Sequence, residues 1–238
     1  YCGNMYHGLG YIIDEINKYR EVKVLEGKEA ERDNIIAKIK EYDPGTIIFG
    51  GHGTPIYYTA NTCYPPNVSC IPVITMENCG LLKGRHIHMF SCLTAIALGP
   101  EIIEQGALTY SGYKQEWYWI TKDDDTDGDP YSDPYAHSFF WSDNAGSIVL
   151  GSMGNMAQAT QATLDAYNHW VNYWLDNPDG DPNAIEVAKW LIWDRDAYMD
   201  ILCGIQPYYL LQGKSLFLAA LTLVGVSCGY LLLRNKAR

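Results

Sequence analysis

Alternating helical and strand patterns over the first half of the chain predict an α/β domain, an α/β/α sandwich with a mostly parallel sheet. Three apolar runs carry that expectation: Thr46–Gly50, Ile87–Phe90 and Ala107–Tyr113. Each is too short for a helix and is bounded by turn residues. The chain has 238 residues, enough for one such domain with a large core and a short appendage.

Each element follows from its own pattern. Residues 6–20 set Leu9, Ile12, Ile13 and Ile16 on one helical face. Val22–Leu25 reads as a short strand. Gly27–Tyr42 is an amphipathic helix with Ala30, Ile35, Ile36 and Ile39 as its stripe, and Asp43-Pro44-Gly45 ends it. The strand leading to His52 follows, then a loop from Thr54 to Leu82 with room for a small hairpin. After the strand to Cys92, Pro100–Gln105 is a short helix stopped by Gly106, and Ala107–Tyr113 is the next strand. Farther on, Asn155–Leu175 repeats Met156, Ala159, Thr163, Tyr167, Trp170 and Trp174 at helical period. Asn183–Asp200 does the same through Ala184, Val187, Ala188, Leu191 and Ile192. These Met and aromatic stripes read as core.

The C-terminus has a different character. Ser215–Leu233 contains no charged residue, and at 1.5 Å per residue a helix of that length spans about 28 Å, close to a bilayer core. Lys214 precedes it; Arg234, Lys236 and Arg238 follow. The positive-inside rule makes the basic tail cytoplasmic and the domain external, a single-pass protein of the cell membrane. The expected division is a domain over 1–212 and a transmembrane helix with tail over 213–238. An external domain needs a signal peptide, and none is visible after Tyr1, so upstream sequence is expected.

The formal net charge is −11, with no basic patch, which excludes a nucleic-acid partner. Acidity favours cationic substrates or bound cations. Cys63, Cys70 and Cys79 are spaced by seven and nine residues, which is no zinc pattern. They make either a disulfide in an oxidising compartment or three buried thiols. Asn67-Val68-Ser69 is a glycosylation sequon.

Chemistry concentrates in two motifs. Gly50-Gly51-His52-Gly53 ends one strand and Ser91-Cys92 ends another. Parallel strands ending side by side bring His52 and Cys92 together at the carboxyl edge of the sheet, where open α/β sheets place their sites. A thiolate is a strong nucleophile, and an adjacent imidazole activates it or protonates the leaving group. Glycines around the histidine let a backbone amide approach a substrate, so Gly53 and Cys92 are candidate oxyanion donors. His86 and His88 read as histidines packed against a covering helix; His7, His137 and His169 have no partner pattern.

Strand, His-Gly, then strand, small residue, Cys resembles the caspase-like (clan CD) cysteine peptidases. Thr46–Gly53 and Ile87–Cys92 match that pattern, and Gly27–Ile39 resembles the stretch before the histidine strand. Gly99–Ile103, Tyr110–Tyr113 and the helix at 155–175 look most like the gingipain branch. The resemblance implies the caspase-like fold, His52 as general acid/base and Cys92 as nucleophile. It also implies a thioester acyl-enzyme with Gly53 and Cys92 amides on the oxyanion. Ser91 stands where alanine is commonest, and the family's first strand belongs upstream of Tyr1. The family lines its P1 pocket with the strand after the cysteine, here Ser111, Gly112, Tyr113 and Trp117. Gingipain likeness and acidity point to Arg or Lys at P1, with Asx open.

Asp123, Asp125 and Asp127 followed by Gly128 match the first half of an EF-hand-type calcium loop, but position twelve is Pro134. A looser structural Ca²⁺ site completed by Asp129 or Asp133 is the alternative to a solvated acidic loop; no cofactor is required for the chemistry. The function expected is a membrane-anchored cysteine endopeptidase acting on protein or peptide substrates. A transpeptidase or transamidase of the same fold, and a catalytically inactive surface-binding module, are the alternatives.

Overall fold

The computed structural model describes residues 2–60, 71–122, 129–178, 180–202 and 229–234. Nine strands and six α-helices occur among them. Helix α1 is Cys2–Asn17, strand β1 Glu21–Leu25 and helix α2 Arg32–Tyr42. Strand β2 is Thr46–Gly50, followed by the short strands β3 (His52–Gly53), β4 (Tyr57–Thr59) and β5 (Ile74–Thr75). Strand β6 is His86–Phe90, helix α3 Leu98–Glu104 and strand β7 Thr109–Tyr113. Helices α4 (Pro134–Met153), α5 (Met156–Asp176) and α6 (Ala184–Arg195) follow, then strands β8 (Tyr198–Leu202) and β9 (Gly229–Arg234).

The main sheet has the order β1-β9-β2-β6-β7-β8. Strands β2, β6 and β7 pair in parallel, with Gly50 level with Phe90 and His88 level with Ser111. Strand β1 runs the same way, since β9 is antiparallel to both β1 and β2. Strand β8 is antiparallel to β7. The fold is thus α/β with a mostly parallel sheet. Strands β2 and β7 are buried at every residue, as expected of strands covered on both faces. Helices α1, α4 and α5 pack together on one face of the sheet and α3 packs on β7 and β8.

The elements departing from the sequence reading have identifiable causes. The helical pattern over Asn183–Asp200 breaks at Arg195, and Tyr198–Leu202 is strand β8. Tyr198, Met199 and Ile201 are strand formers, and the open edge of β7 gives them a ladder. Helix α4 escapes the periodicity test because its buried side includes Ser138, Ser142, Asp143, Asn144 and Ser147 beside Phe139 and Phe140. Its start is nonetheless local chemistry. Asp133 caps it, accepting from the Tyr135 and Ala136 N–H groups at 2.8 and 2.9 Å, and Pro134 follows.

The apolar run Ser215–Leu233 reads as a helix in sequence, but Gly229–Leu233 belong to β9, hydrogen-bonded on both sides. Short apolar runs satisfy a strand as well as a helix. Residues 215–228 lie outside the described residues. Among those described, no helix is long and apolar enough to cross a membrane.

Candidate active site

Strands β2 and β6 stop level with one another, so the two residues beyond each stop, Gly51-His52 and Ser91-Cys92, meet at one sheet edge. The Gly51 N–H donates to the Phe90 carbonyl at 3.3 Å, continuing the ladder one step past the strands. A three-stranded sheet, β3-β4-β5, then carries the histidine: His52 is level with Thr59 and Gly53 with Tyr58. Its turn is tied by Thr54, whose N–H donates to the Tyr57 carbonyl at 2.9 Å, while its Oγ1 accepts from the Ile56 and Tyr57 N–H groups. This is the small hairpin expected within Thr54–Leu82; residues 61–70 lie outside the described residues, and with them Cys63, Cys70 and the sequon. Cys79 is buried.

Both glycines flanking the histidine are there because backbone approaches backbone. A side chain at Gly51 would fall on the Thr59 carbonyl oxygen and the Tyr58 ring. One at Gly53 would stand 2.6 Å from Thr94 Cγ2 and 2.9 Å from Ser91 Oγ, and closer still to the Cys92 carbonyl oxygen. The Tyr58 hydroxyl donates to the Gly50 carbonyl at 2.6 Å, fixing the strand end. The Leu98 N–H donates to the Pro55 carbonyl at 2.8 Å and joins the histidine loop to the segment after the cysteine.

Cys92 sits on a tight bend. The Ser91 N–H donates to the Met89 carbonyl at 2.9 Å, and the Thr94 hydroxyl to the Ser91 carbonyl at 3.1 Å. Leu93 takes φ of 63°, a left-handed conformation that costs a non-glycine residue energy. Its N–H donates to the Gln115 carbonyl at 3.2 Å, and that of Ala95 to the Tyr113 carbonyl at 3.0 Å, so the segment after β7 holds the bend in place.

Burial pushes the Cys92 thiol up to about 11; a hydrogen bond from the Trp117 backbone opposes this, and the charges of Glu116 and Asp194 add to the rise. A thiol so placed is neutral at pH 7, so that nucleophilic attack by it would require a base rather than a preformed ion pair. Iodoacetamide should label Cys92 in the substrate-free protein roughly tenfold faster for each pH unit between about 7 and 10, read by mass spectrometry. A plateau reached below about pH 8 would mean that the thiolate is already formed at rest.

Asp194, beyond the cysteine, is fully buried. One oxygen accepts from the Tyr118 N–H at 3.3 Å, and the other has no hydrogen-bond partner among the described residues. Burial pushes its carboxyl well up, and the nearby Asp143 charge adds to that. Deeper in the core His88 bridges two elements: Nδ1 hydrogen-bonds with Ser111 Oγ at 2.8 Å and Nε2 with Asp143 Oδ2 of α4 at 3.2 Å. His86 Nδ1 lies 3.0 Å from Thr109 Oγ1. Both histidines are structural, in keeping with their sequence pattern.

The four residues expected to contact substrate face inward. Ser111 is committed to His88, Tyr113 is fully buried, and Gly112 lies against the Tyr110 hydroxyl. Trp117 packs among Phe90, Phe139 and Phe140 and donates Nε1–H to the Tyr167 hydroxyl at 3.2 Å. Alternation puts the neighbours of Trp117 outside. Glu116 and Tyr118 line an open cleft of 520 Å³ with Gln115 and residues of α6. Trp117, the largest apolar residue of that segment, marks its inward position in the sequence; the contribution of α6 has no such local signal.

Of the acidic loop, Asp123, Asp125 and Asp127 lie outside the described residues. Asp129 Oδ1 accepts from the Tyr131 N–H at 2.9 Å, and Asp133 is occupied as the α4 cap and by the Lys122 N–H at 2.7 Å. Among the described residues no group of three or more His, Cys, Asp or Glu is arranged to hold a metal ion.

No protein-family model, curated protein or solved structure matches the chain.

Proposed function

We propose that this chain is a cysteine endopeptidase of caspase-like fold. The observation that carries the reading is the backbone contact of Gly53 with the Cys92 bend at the carboxyl edge of two parallel strands. Cys92 Sγ attacks a peptide carbonyl as His52 takes the thiol proton. The oxyanion is met by the Gly53 and Cys92 amides. His52 returns the proton to the departing amine, leaving a thioester. Water, deprotonated by His52, then releases the acid. A basic residue at P1 and calcium in the 123–129 loop complete the reading, each from the sequence patterns above.

One observation favours a second reading. A half-buried cysteine whose thiol stays protonated is also what a non-catalytic binding module would hold. A peptidyl acyloxymethyl ketone separates the two, since only an enzyme engages it as substrate. Labelling of Cys92 that is far faster than that of Cys79 and is lost in His52→Ala supports the peptidase. Equal labelling of both thiols supports the module.

A further inference from the structure

Helix α6 reaches the cysteine through the segment that follows β7. Residues 113–118 run beside the Cys92 bend and supply its hydrogen bonds. The Tyr113 carbonyl accepts from the Ala95 N–H, the Gln115 carbonyl accepts from the Leu93 N–H, and the Trp117 N–H donates to the Cys92 thiol. Strand β7 ends at Tyr113, so the part of the segment that meets the thiol is held by side chains instead of a ladder.

Three side chains hold it around Trp117, and two of them are consecutive residues of α6. The Trp193 Nε1–H donates to the Glu116 carbonyl at 2.9 Å, and the Asp194 carboxylate accepts from the Tyr118 N–H at 3.3 Å. The third is Tyr167 of α5, whose hydroxyl accepts from the Trp117 indole N–H at 3.2 Å. Asp194 and Tyr167 are fully buried.

The Glu116 carbonyl and the Trp117 N–H belong to one peptide unit. A trans peptide is planar, and its C=O and N–H point in opposite directions. Trp193 therefore holds the oxygen on one side while the N–H meets the sulfur on the other. A donor on the oxygen polarises the unit and strengthens its N–H as a donor in turn. That N–H matters most as the sulfur gains negative charge, because hydrogen bonds to ions are the stronger kind.

Resting on the peptidase reading, we infer that Trp193 and Asp194 are positioning residues for Cys92: they fix the Glu116–Trp117 peptide unit so that its N–H stays on the sulfur as the thiolate forms. Helix α6 thereby governs the reactivity of a cysteine far from it in sequence.

The test compares the full wild-type chain with Trp193→Phe, Asp194→Asn and Asp194→Ala. Trp193 is 40% exposed, so Trp193→Phe keeps the fold and a surface ring while losing the N–H donor. Asn and Ala at position 194 both remove the charge, and only Asn still accepts from Tyr118, so their difference isolates the hydrogen bond. The other charge acting on the thiol, Glu116, is the same in every variant. Iodoacetamide labelling of Cys92 at about pH 9, read by mass spectrometry, should be about fivefold slower in Trp193→Phe than in wild type, part of the roughly tenfold that a whole hydrogen bond to a charged group contributes. Asp194→Asn should label at least as fast as wild type, since the charge it removes opposes the thiolate, and Asp194→Ala about fivefold more slowly than Asp194→Asn. With a fluorogenic peptide the same order should appear in kcat, with KM nearly unchanged. Labelling of Trp193→Phe at the wild-type rate or faster, or equal rates for the two folded Asp194 variants, overturns the inference. Where Asp194→Ala does not fold, Trp193→Phe decides alone. Labelling in the expected order by a chain that cleaves no peptide keeps the positioning role and discards the peptidase. Cleavage by wild type together with unaltered labelling in the variants does the reverse.

Discussion

Gly53→Ala is expected to abolish peptide cleavage, lowering kcat/KM by at least about 100-fold, the scale of loss when reacting groups are displaced by about 1 Å. The added methyl would lie 2.6 Å from Thr94 Cγ2 and 2.9 Å from Ser91 Oγ, and nearest of all to the Cys92 carbonyl oxygen. A side-chain tip can rotate away; a carbonyl at the end of a buried strand moves only with the bend that carries the thiol. The strain is shed by separating the His52 strand from Cys92, the one displacement the chemistry cannot tolerate. Overpacking of this kind costs about 1–3 kcal/mol in stability. The variant therefore stays folded while it loses activity, and circular dichroism beside the kinetics checks both halves. Retention of more than a tenth of the activity would show that the two loops are not locked together.

The largest expected effect on stability lies at Asp143. Its carboxylate meets His88 Nε2 in a region where both side chains are almost wholly buried, and His88 in turn holds Ser111. Asp143→Ala strands the imidazole and empties the space in front of it. A loss of about 3–5 kcal/mol in denaturant unfolding is expected, as for other buried pairs broken from one side. Burial raises the Asp143 carboxyl above its usual range, while the charge of His88 and hydrogen bonds from His88 and Ser147 work against the rise. A raised carboxyl binds its proton more tightly in the fold than in the unfolded chain. Its stabilising contribution is full below the unfolded value of 3.8 and is lost as pH rises through the folded value. Asp194 and Asp200 are shifted in the same direction by burial. Asp181 opposes them, held down to about 2, first by its hydrogen bond with Lys122, and contributes stability that is lost only as pH falls through that value. These raised carboxyls therefore give stability a slope that rises from neutral toward mildly acidic pH, against which His86 and His137, lowered by burial, contribute the opposite trend. Asp143→Asn should flatten part of that slope, which melting curves across pH would show directly.

Much of this architecture is written in local pattern. The runs at Thr46–Gly50, His86–Phe90 and Thr109–Tyr113 are parallel neighbours, as short, mostly apolar runs alternating with helices suggest, and the His52 and Cys92 motifs meet because the first two strands end in register. What escaped depends on partners distant in sequence. Helix α4 buries Asp143 against His88 and Ser142 through a hydrogen bond to the Ser138 carbonyl one turn back, so no apolar stripe betrays it. Strand β8 departs from a helical pattern because the edge of β7 is open to it. Ser111, Gly112, Tyr113 and Trp117 lie in the core instead of lining a pocket, Trp117 because it finds a site among Phe90, Phe139 and Phe140. The cleft depends on Trp190 and Trp193 facing outward from α6, which its sequence stripe does not reveal.

The most direct test of the central claim is hydrolysis of a P1-diverse fluorogenic peptide library by the full chain, with and without calcium, beside His52→Ala and Cys92→Ala. The account predicts cleavage after arginine or lysine that either substitution abolishes. Cleavage that survives Cys92→Ala, or none from a folded chain under any condition, would contradict it.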